Sequence, residues 1–358
     1  MHKNLIIPEE LVTRVPEAAM RATVEDLFKV AGLSENHARQ ATDVLMWADL
    51  RGIDSHGVSN MMSYYLAGLK GGSINATPVS ATTHEAPATA TIDSDRGLGL
   101  VAGPDAMRLA MAKARVNGIG AVTVGNGRHF GAAGYFAAMA LEEDMIGMAM
   151  TVGGLLVAPT FGSKAMVGLN PLAFAAPTLH EAPFVFDASM SSVAANKIRL
   201  ARRLNAEVPG GWIAGTDGTP IMQDTEVPEQ FLMLPAGATR DIGSHKGYSL
   251  AVMVDILSGL LAGTGPGFST VGTTSHHFVA YNVSAFTDVA TFKQNMDDYM
   301  KALRETPPAP GHDRVMYAGL GQAEFERDRR TNGIPYHKEV VAQYKLWAAE
   351  YGILDRFA

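Results

Sequence analysis

Between Pro8 and Val30, and again between Ser34 and Leu50, apolar residues recur every three or four positions, the spacing that gathers them on one face of a helix. Gly32 stands where the first helix should be capped. Ser34 stands where the second should begin, with His37 rather than Glu at the capping-box position. A third helix is predicted over Asn60 to Leu69, stopping at Gly71-Gly72. After Pro78 the pattern changes. Ala88–Asp93 reads as a strand, Gly103–Asn117 as a helix, Gly120–Val124 as a strand, Ala132–Glu143 as a helix and Ile146–Val152 as a buried strand. Further strands are predicted at Pro171–Ala176, Phe184–Phe186 and His277–Tyr281. The longest apolar stretch, Tyr248 to Ala262, is broken by Asp255 and is too short to span a bilayer, so it reads as a buried helix. Helices return at Val289–Arg304, Ala323–Arg330 and Lys338–Glu350, with a proline-rich loop at Thr306–Pro310. Alternating strands and helices predict an α/β layer with parallel pairs. The expected organisation is a helical domain over residues 1–78, joined by the C-terminal helix in 330–358, and an α/β domain for cofactor and substrate over 79–329.

Composition narrows the function classes. The 358 residues are 47% hydrophobic and carry a formal charge of −7, with no stretch that concentrates Lys and Arg, so a nucleic-acid partner is not expected. The absence of cysteine excludes disulfides, thiolate zinc sites, Cys-ligated iron–sulfur clusters and a thiol nucleophile, and it fits a reducing compartment. Met1 to Glu10 lacks the apolar core of a signal peptide. A soluble, cytoplasmic protein without a membrane partner is expected.

Phosphate-binding turns are the first chemistry to seek. Gly125-Asn126-Gly127-Arg128-His129-Phe130 follows a predicted strand, but Phe130 stands where G-x-G-x-x-G needs its third glycine. There is neither G-x-x-x-x-G-K-[ST] nor G-x-S-x-G. His129 nevertheless lies in a glycine-rich joint between strand and helix, where a helix dipole would favour neutral imidazole and suit acid–base work. A histidine that merely caps the turn is the alternative. Arg51-Gly52-Ile53-Asp54-Ser55-His56-Gly57 places a cation, a hydroxyl and an imidazole together, able to bind a carboxylate and donate a proton, or to form only a polar turn between helices. His276 and His277 are adjacent and would point to opposite faces of a strand, so they read as structural. No histidine pair has helical zinc spacing, and no metal is expected.

Taken in order, several blocks resemble the type-2 malate/L-lactate dehydrogenase family, whose nicotinamide-binding fold differs from the Rossmann fold. The matching blocks are Arg51 to Gly57, Gly127-Arg128-His129-Phe130-Gly131, Gly168-Leu169-Asn170-Pro171, Phe186-Asp187-Ala188-Ser189, His245-Lys246-Gly247-Tyr248 and Asn332-Gly333-Ile334-Pro335. The resemblance implies a non-Rossmann nicotinamide-binding α/β domain plus a helical domain formed by both chain ends. It also implies a homodimer using NAD or NADP on a small 2-oxo or 2-hydroxy acid. On the same basis His129 and His56 are the candidate proton-transfer residues, and Arg51, Ser55, Asn60 and Tyr64 line the substrate pocket. Asn170, the run Pro183, Phe184, Val185, Phe186, Asp187, Ala188 and Ser189, and the pair His245 and Lys246 would contact the dinucleotide. Two departures stand out. Asn60 occupies a position where many members carry an Arg that grips the substrate carboxylate, leaving Arg51 or Arg128 to take over. Ala318-Gly319-Leu320-Gly321 replaces a common Pro-Gly-Glu turn. The alternatives are reduction of a cyclic imino acid and dinucleotide binding without turnover.

Overall fold

Pro16 divides the first expected helix, Pro8 to Val30, in two. A computed structural model describes residues 8–203, 205–270 and 272–357. In it Val12–Val15 forms strand β1, and only Glu17–Val30 forms helix α1. Strand β1 runs antiparallel to β13 (Ile334–His337), pairing Val15 with Ile334, so the two chain ends meet. The spacing of Val12 and Val15 fits a helix face equally well, and only the distant partner decides for a strand. Helix α2 (Glu35–Leu50) starts as predicted, with Ser34 Oγ accepting the His37 amide at 3.2 Å. Helix α3 (Val58–Lys70) follows the loop that carries Ser55 and His56.

Beyond it lie β2 (Ala81–Glu85), β3 (Thr89–Asp93), α4 (Gly99–Asn117), β4 (Ile119–Gly127), α5 (Ala133–Met139), β5 (Met145–Thr151), β6 (Leu155–Val157), β7 (Val167–Gly168), β8 (Leu172–Ala176) and β9 (Phe184–Ala188). The remaining elements are α6 (Ala195–Arg203), β10 (Ile213–Ala214), β11 (Leu232–Met233), α7 (Ser244–Asp255), β12 (Thr274–Asn282), α8 (Val289–Arg304), α9 (Leu320–Asn332) and α10 (Lys338–Tyr351). Seven strands form the main sheet in the order β2-β3-β4-β12-β5-β8-β9. The expected parallel pairing holds for β3 with β4, joined through α4, but β12 enters between β4 and β5 antiparallel to both. Helix-strand alternation predicts crossovers, yet it is silent about a late strand inserted at the sheet centre.

Two glycines set how closely the helices approach this sheet. A Cβ on Gly120 would come within 2.0 Å of the Ala110 carbonyl oxygen, and one on Gly147 within 2.1 Å of that of Ala137. Helices α4 and α5 therefore lie almost on the strands. Around them Phe130, Phe136 and Phe278 stack in a fully buried aromatic group with His276. Truncating such a phenylalanine to alanine costs about 3–5 kcal/mol.

One apolar core runs from Met20, Leu27 and Phe28 through Leu45, Met62 and Tyr65 to the sheet residues Val122, Ala149 and Phe278, and takes in Tyr344 of α10. The terminal helices thus share their core with the sheet. A second core, around Val157, Ile198, Ile213, Met233 and Ala251, supports a four-stranded sheet in the order β10-β11-β6-β7. Helix α7 contributes Ala251 to it, but Leu250 and Met253 on the same helix and Ile256 just after it are 37–48% exposed. The helix expected to be buried is therefore buried on one side only. No described helix is long and apolar enough to cross a membrane.

Candidate active site

The glycines at 125 and 127 do not make a phosphate turn. They are the last residues of β4, paired with Asp93 and Thr274 respectively, and α5 begins only at Ala133. His129 therefore sits in the connecting segment, ahead of the helix. The side chains that surround it come from α3 and its preceding loop. The His56 and His129 rings lie parallel, 9° apart in plane, with centroids at 5.8 Å. Tyr65 Oη is 2.7 Å from His129 Nδ1, and Tyr64 meets the same imidazole edge-on at 5.9 Å.

Burial governs the electrostatics. It pushes His129 down to about 3, with the neighbouring His56 and His276 adding to the shift, and pushes His56 down to about 4. Neutral imidazole was expected at His129, but desolvation, rather than a helix dipole, is its cause. The Gly131 amide donates to His129 Nδ1 at 3.2 Å, which favours Nε2 as the seat of the proton in the neutral ring without substrate. The Tyr65 hydroxyl can donate to the neutral Nδ1 and can turn to accept from a protonated one. It is thus suited to both states of a group that gains and loses a proton. An anion bound beside His129 would favour the protonated state.

Each sequence-predicted residue has a definite place. Ser55 Oγ lies 2.9 Å from His56 Nδ1, and Tyr64, 51% exposed, borders the histidine pair. Asn60 donates its amide to the Asp54 carbonyl at 2.6 Å and so braces the loop. Arg51 is buried, paired through Nη1 with Glu326 at 2.8 Å, and its guanidinium lies 4.9 Å from the Trp47 ring centroid. Asn170 is fully buried; its Oδ1 accepts from Gly153 N at 2.9 Å and its Nδ2 donates to Ala251 O at 2.7 Å. Its amide ties the loop after β5 to α7.

The run Pro183 to Ser189 is edge strand β9 with its flanks, and Val185 N donates to Ala318 O at 3.0 Å, so the departing tail turn does lie against it. Asp187 Oδ2 accepts the Gly134 amide at 2.7 Å; burial nevertheless raises this carboxyl to about 6. His245 and Lys246 lie in the first turn of α7. That helix starts at Gly243 with no side-chain cap, and Arg240 Nη1 donates to His245 Nδ1 at 2.9 Å.

Two contributors went unnoticed in the sequence, and a third, His276, was read there as structural. Tyr65 falls on the buried stripe of α3, and a hydroxyl in an apolar stripe is the signal that could have found it. Asp49, at the end of α2, accepts from Val58 N at 3.2 Å and from Tyr336 Oη at 2.7 Å, fixing the loop that bears His56. His276 holds the segment bearing His129.

The profile of the malate/L-lactate dehydrogenase family matches residues 15–345. The chain belongs to this family. The malate dehydrogenase of Pyrococcus abyssi is 37% identical over 353 residues, covering 96% of this chain and 97% of its own. The ureidoglycolate dehydrogenase (NAD(+)) of Escherichia coli O157:H7 is 30% identical, covering 94% and 96%. Among solved structures, the sulfolactate dehydrogenase of Methanocaldococcus jannaschii superposes with a TM-score of 0.84 at 32% identity, covering 95% of this chain and 98% of its own. The protein is accordingly a hydroxy-acid dehydrogenase of the non-Rossmann α/β class, which sets aside dinucleotide binding without turnover.

Proposed function

We propose that the protein transfers a hydride between NAD or NADP and a small 2-oxo or 2-hydroxy acid, with His129 as the proton-transfer residue. The observation that carries this reading is the buried, parallel His56–His129 pair, with Tyr65 and Gly131 both directed at His129 Nδ1. In the reductive direction protonated His129, stabilised by the substrate's carboxylate, gives its proton to the substrate oxygen. In the oxidative direction the neutral ring, as the tautomer whose Nδ1–H donates to the Tyr65 hydroxyl, takes that proton on Nε2. His56, held by Ser55, lies on the other side of the pair and orients the same oxygen.

The cofactor reading has local support. Helix α7 opens at Gly243 without a side-chain cap, its Ser244 and Lys246 amides donating to the Thr239 and Gly243 carbonyls, and Lys246 and Arg240 stand at this end without a carboxylate partner among the described residues. A helix N-terminus with two cations suits the phosphates of a dinucleotide. Bound there, the nicotinamide supplies or accepts the hydride. Strand β9, with Asp187 fixing the start of α5, would form the wall between this end and His129.

A homodimer and a cytoplasmic location belong to the same reading. The exposed apolar face of α7 supports the first and the absence of cysteine the second.

Oxidation of NADH and NADPH against a panel of 2-oxo acids tests the function directly. His129→Ala should lower kcat by about 10²–10⁴-fold, the usual worth of general acid–base catalysis. Near-normal kcat in both His129→Ala and His56→Ala would overturn the mechanism.

A further inference from the structure

A 2-oxo acid brings a carboxylate into a largely desolvated site, so a cation must meet it near His129. Two buried arginines near the His56 loop already carry other charges. Arg51 is paired with Glu326, although its Nε and Nη2 have no partner. Arg329 bonds Asp54 Oδ1 at 2.8 Å and also the Asp49 carbonyl. Both join α9 to the loop that bears His56.

Arg128 differs from these. It directly precedes His129, its guanidinium meets no carboxylate or carbonyl among the described residues, and its Nε is buried without a partner. Gly272, at φ +75°, lies against it: a Cβ there would be in ordinary van der Waals contact with Arg128 Nη1, at 3.6 Å. Arg96 is a second arginine without a carboxylate partner, and the backbone holds it close by. Ser94 N donates to Gly125 O at 3.1 Å, Arg96 N to Asn126 O at 2.9 Å, and Arg128 N to Gly97 O at 3.1 Å. The segments bearing Arg96 and His129 are therefore stitched side by side. Burial holds the Arg128 guanidinium below its ordinary value; the Tyr64 phenol opposes this and the Arg96 charge adds to it. Two neighbouring cations with no counter-charge, one of them partly buried, repel each other, and an anion that joins them relieves that repulsion.

We propose that Arg128 grips the substrate carboxylate, with Arg96 as a second cation that favours 2-oxo acids carrying another acidic group. This rests on reading the His56–His129 site as that of a 2-hydroxy-acid dehydrogenase. A planar guanidinium matches a carboxylate through two parallel hydrogen bonds, and the pair beside His129 also supplies the negative charge that favours the protonated imidazole. Arg96, being exposed, acts at longer range and is the more sensitive to salt.

The test is steady-state kinetics with pyruvate as the monoacid and oxaloacetate as the diacid. Arg128→Gln should raise KM for both 2-oxo acids by roughly 10- to 100-fold, the size of one charge-assisted contact, while KM for the nicotinamide cofactor stays within about 2-fold. Arg128→Lys should recover part of the loss, which also guards against a folding defect in the first variant. Arg96→Gln should lower kcat/KM for oxaloacetate by about 10-fold and leave pyruvate unchanged. An unchanged 2-oxo acid KM in Arg128→Gln overturns the proposal while the dehydrogenase reading stands. So does a rise confined to the cofactor KM, which would give the arginine pair to the dinucleotide phosphates. A wild-type protein that turns over no 2-oxo acid would instead remove the underlying reading and this inference with it.

Discussion

His276 donates from Nε2 to the carbonyl of Arg128 at 3.1 Å, and its ring lies on that of Phe130 with centroids 4.8 Å apart and planes within 7°. One side chain of central strand β12 thus holds the residues on both sides of His129. The Arg128 carbonyl, which can only accept, sets the proton on Nε2, so Thr151 Oγ1, 2.7 Å away, donates to Nδ1, and a Cβ on Gly127 would crowd the ring at 2.9 Å. Because misplacing a reacting group by about 1 Å can cost about 10²-fold, His276→Leu should lower kcat by about 10- to 100-fold with little change in cofactor KM. His276→Gln, which keeps an N–H donor, should recover part of that loss. Equal kcat in Leu and Gln variants would show that the hydrogen bond to Arg128 does not position His129.

Tyr65→Phe removes the one group suited to accept from a protonated His129 Nδ1, while the Gly131 amide still favours the neutral ring. The imidazole, already near 3 through burial, should fall further. The protonated fraction at a given pH then decreases, so the pH dependence of 2-oxo acid reduction should move to lower pH, with a loss of about 10-fold near neutrality. A pH profile that superposes on that of the unaltered protein would count against a proton-handling role for Tyr65.

What the sequence disclosed follows the range of the forces involved. Helix α8 was legible to both ends, and the Ser34 cap was legible with its unusual His37 partner, because periodicity and capping act within a few residues. Strand β1 was hidden because its partner β13 lies at the other end of the chain, and the antiparallel seat of β12 was hidden for the same reason. In the site, His56 and His129 stood out as polar groups among glycines. Tyr65 and His276 did not stand out as site residues, since each occupies a core position and differs from a packing residue only by its hydrogen bonds. Asn170 is a polar residue in a family motif whose amide also ties two segments of the fold together.

Asp49 links the site to stability. Burial raises its carboxyl to about 7, against hydrogen bonds from Tyr336 and Val58, and its Oδ1 has no partner. A group held more protonated in the folded state stabilises it fully below the unfolded carboxylate range, and that contribution is lost as pH rises through about 7. Stability should therefore decline between about pH 4 and 7, by at most on the order of 4 kcal/mol from this residue. Asp49→Asn keeps the shape and cannot ionise, so the decline should flatten. Urea titrations of both proteins at several pH values measure this directly; parallel declines would remove Asp49 as the source.

The last prediction concerns the exposed side of α7. Leu250, Met253 and Ile256 are 40%, 37% and 48% exposed, and Leu260 and Leu261 just beyond the helix are 48% and 56% exposed. Along α7 and the π-helical turn Ile256–Leu260 that follows it, the five form an exposed run on the side away from Ala251, which faces the interior. Scattered apolar residues are ordinary on a surface, but a contiguous stripe with no charge within it marks an interface. A second copy of the chain is the occupant we infer, since a self-complementary patch can close about a two-fold axis with the same helix on each side. The chain should then behave in solution as a particle of twice 38.0 kDa. Replacing both Ile256 and Leu260 with Glu would set like charges against each other across that axis, and the particle should fall to 38.0 kDa. Multi-angle light scattering at micromolar concentration distinguishes the two. A single 38.0 kDa species in the unaltered protein would refute the dimer, and a dimer that survives both glutamates would place the interface elsewhere.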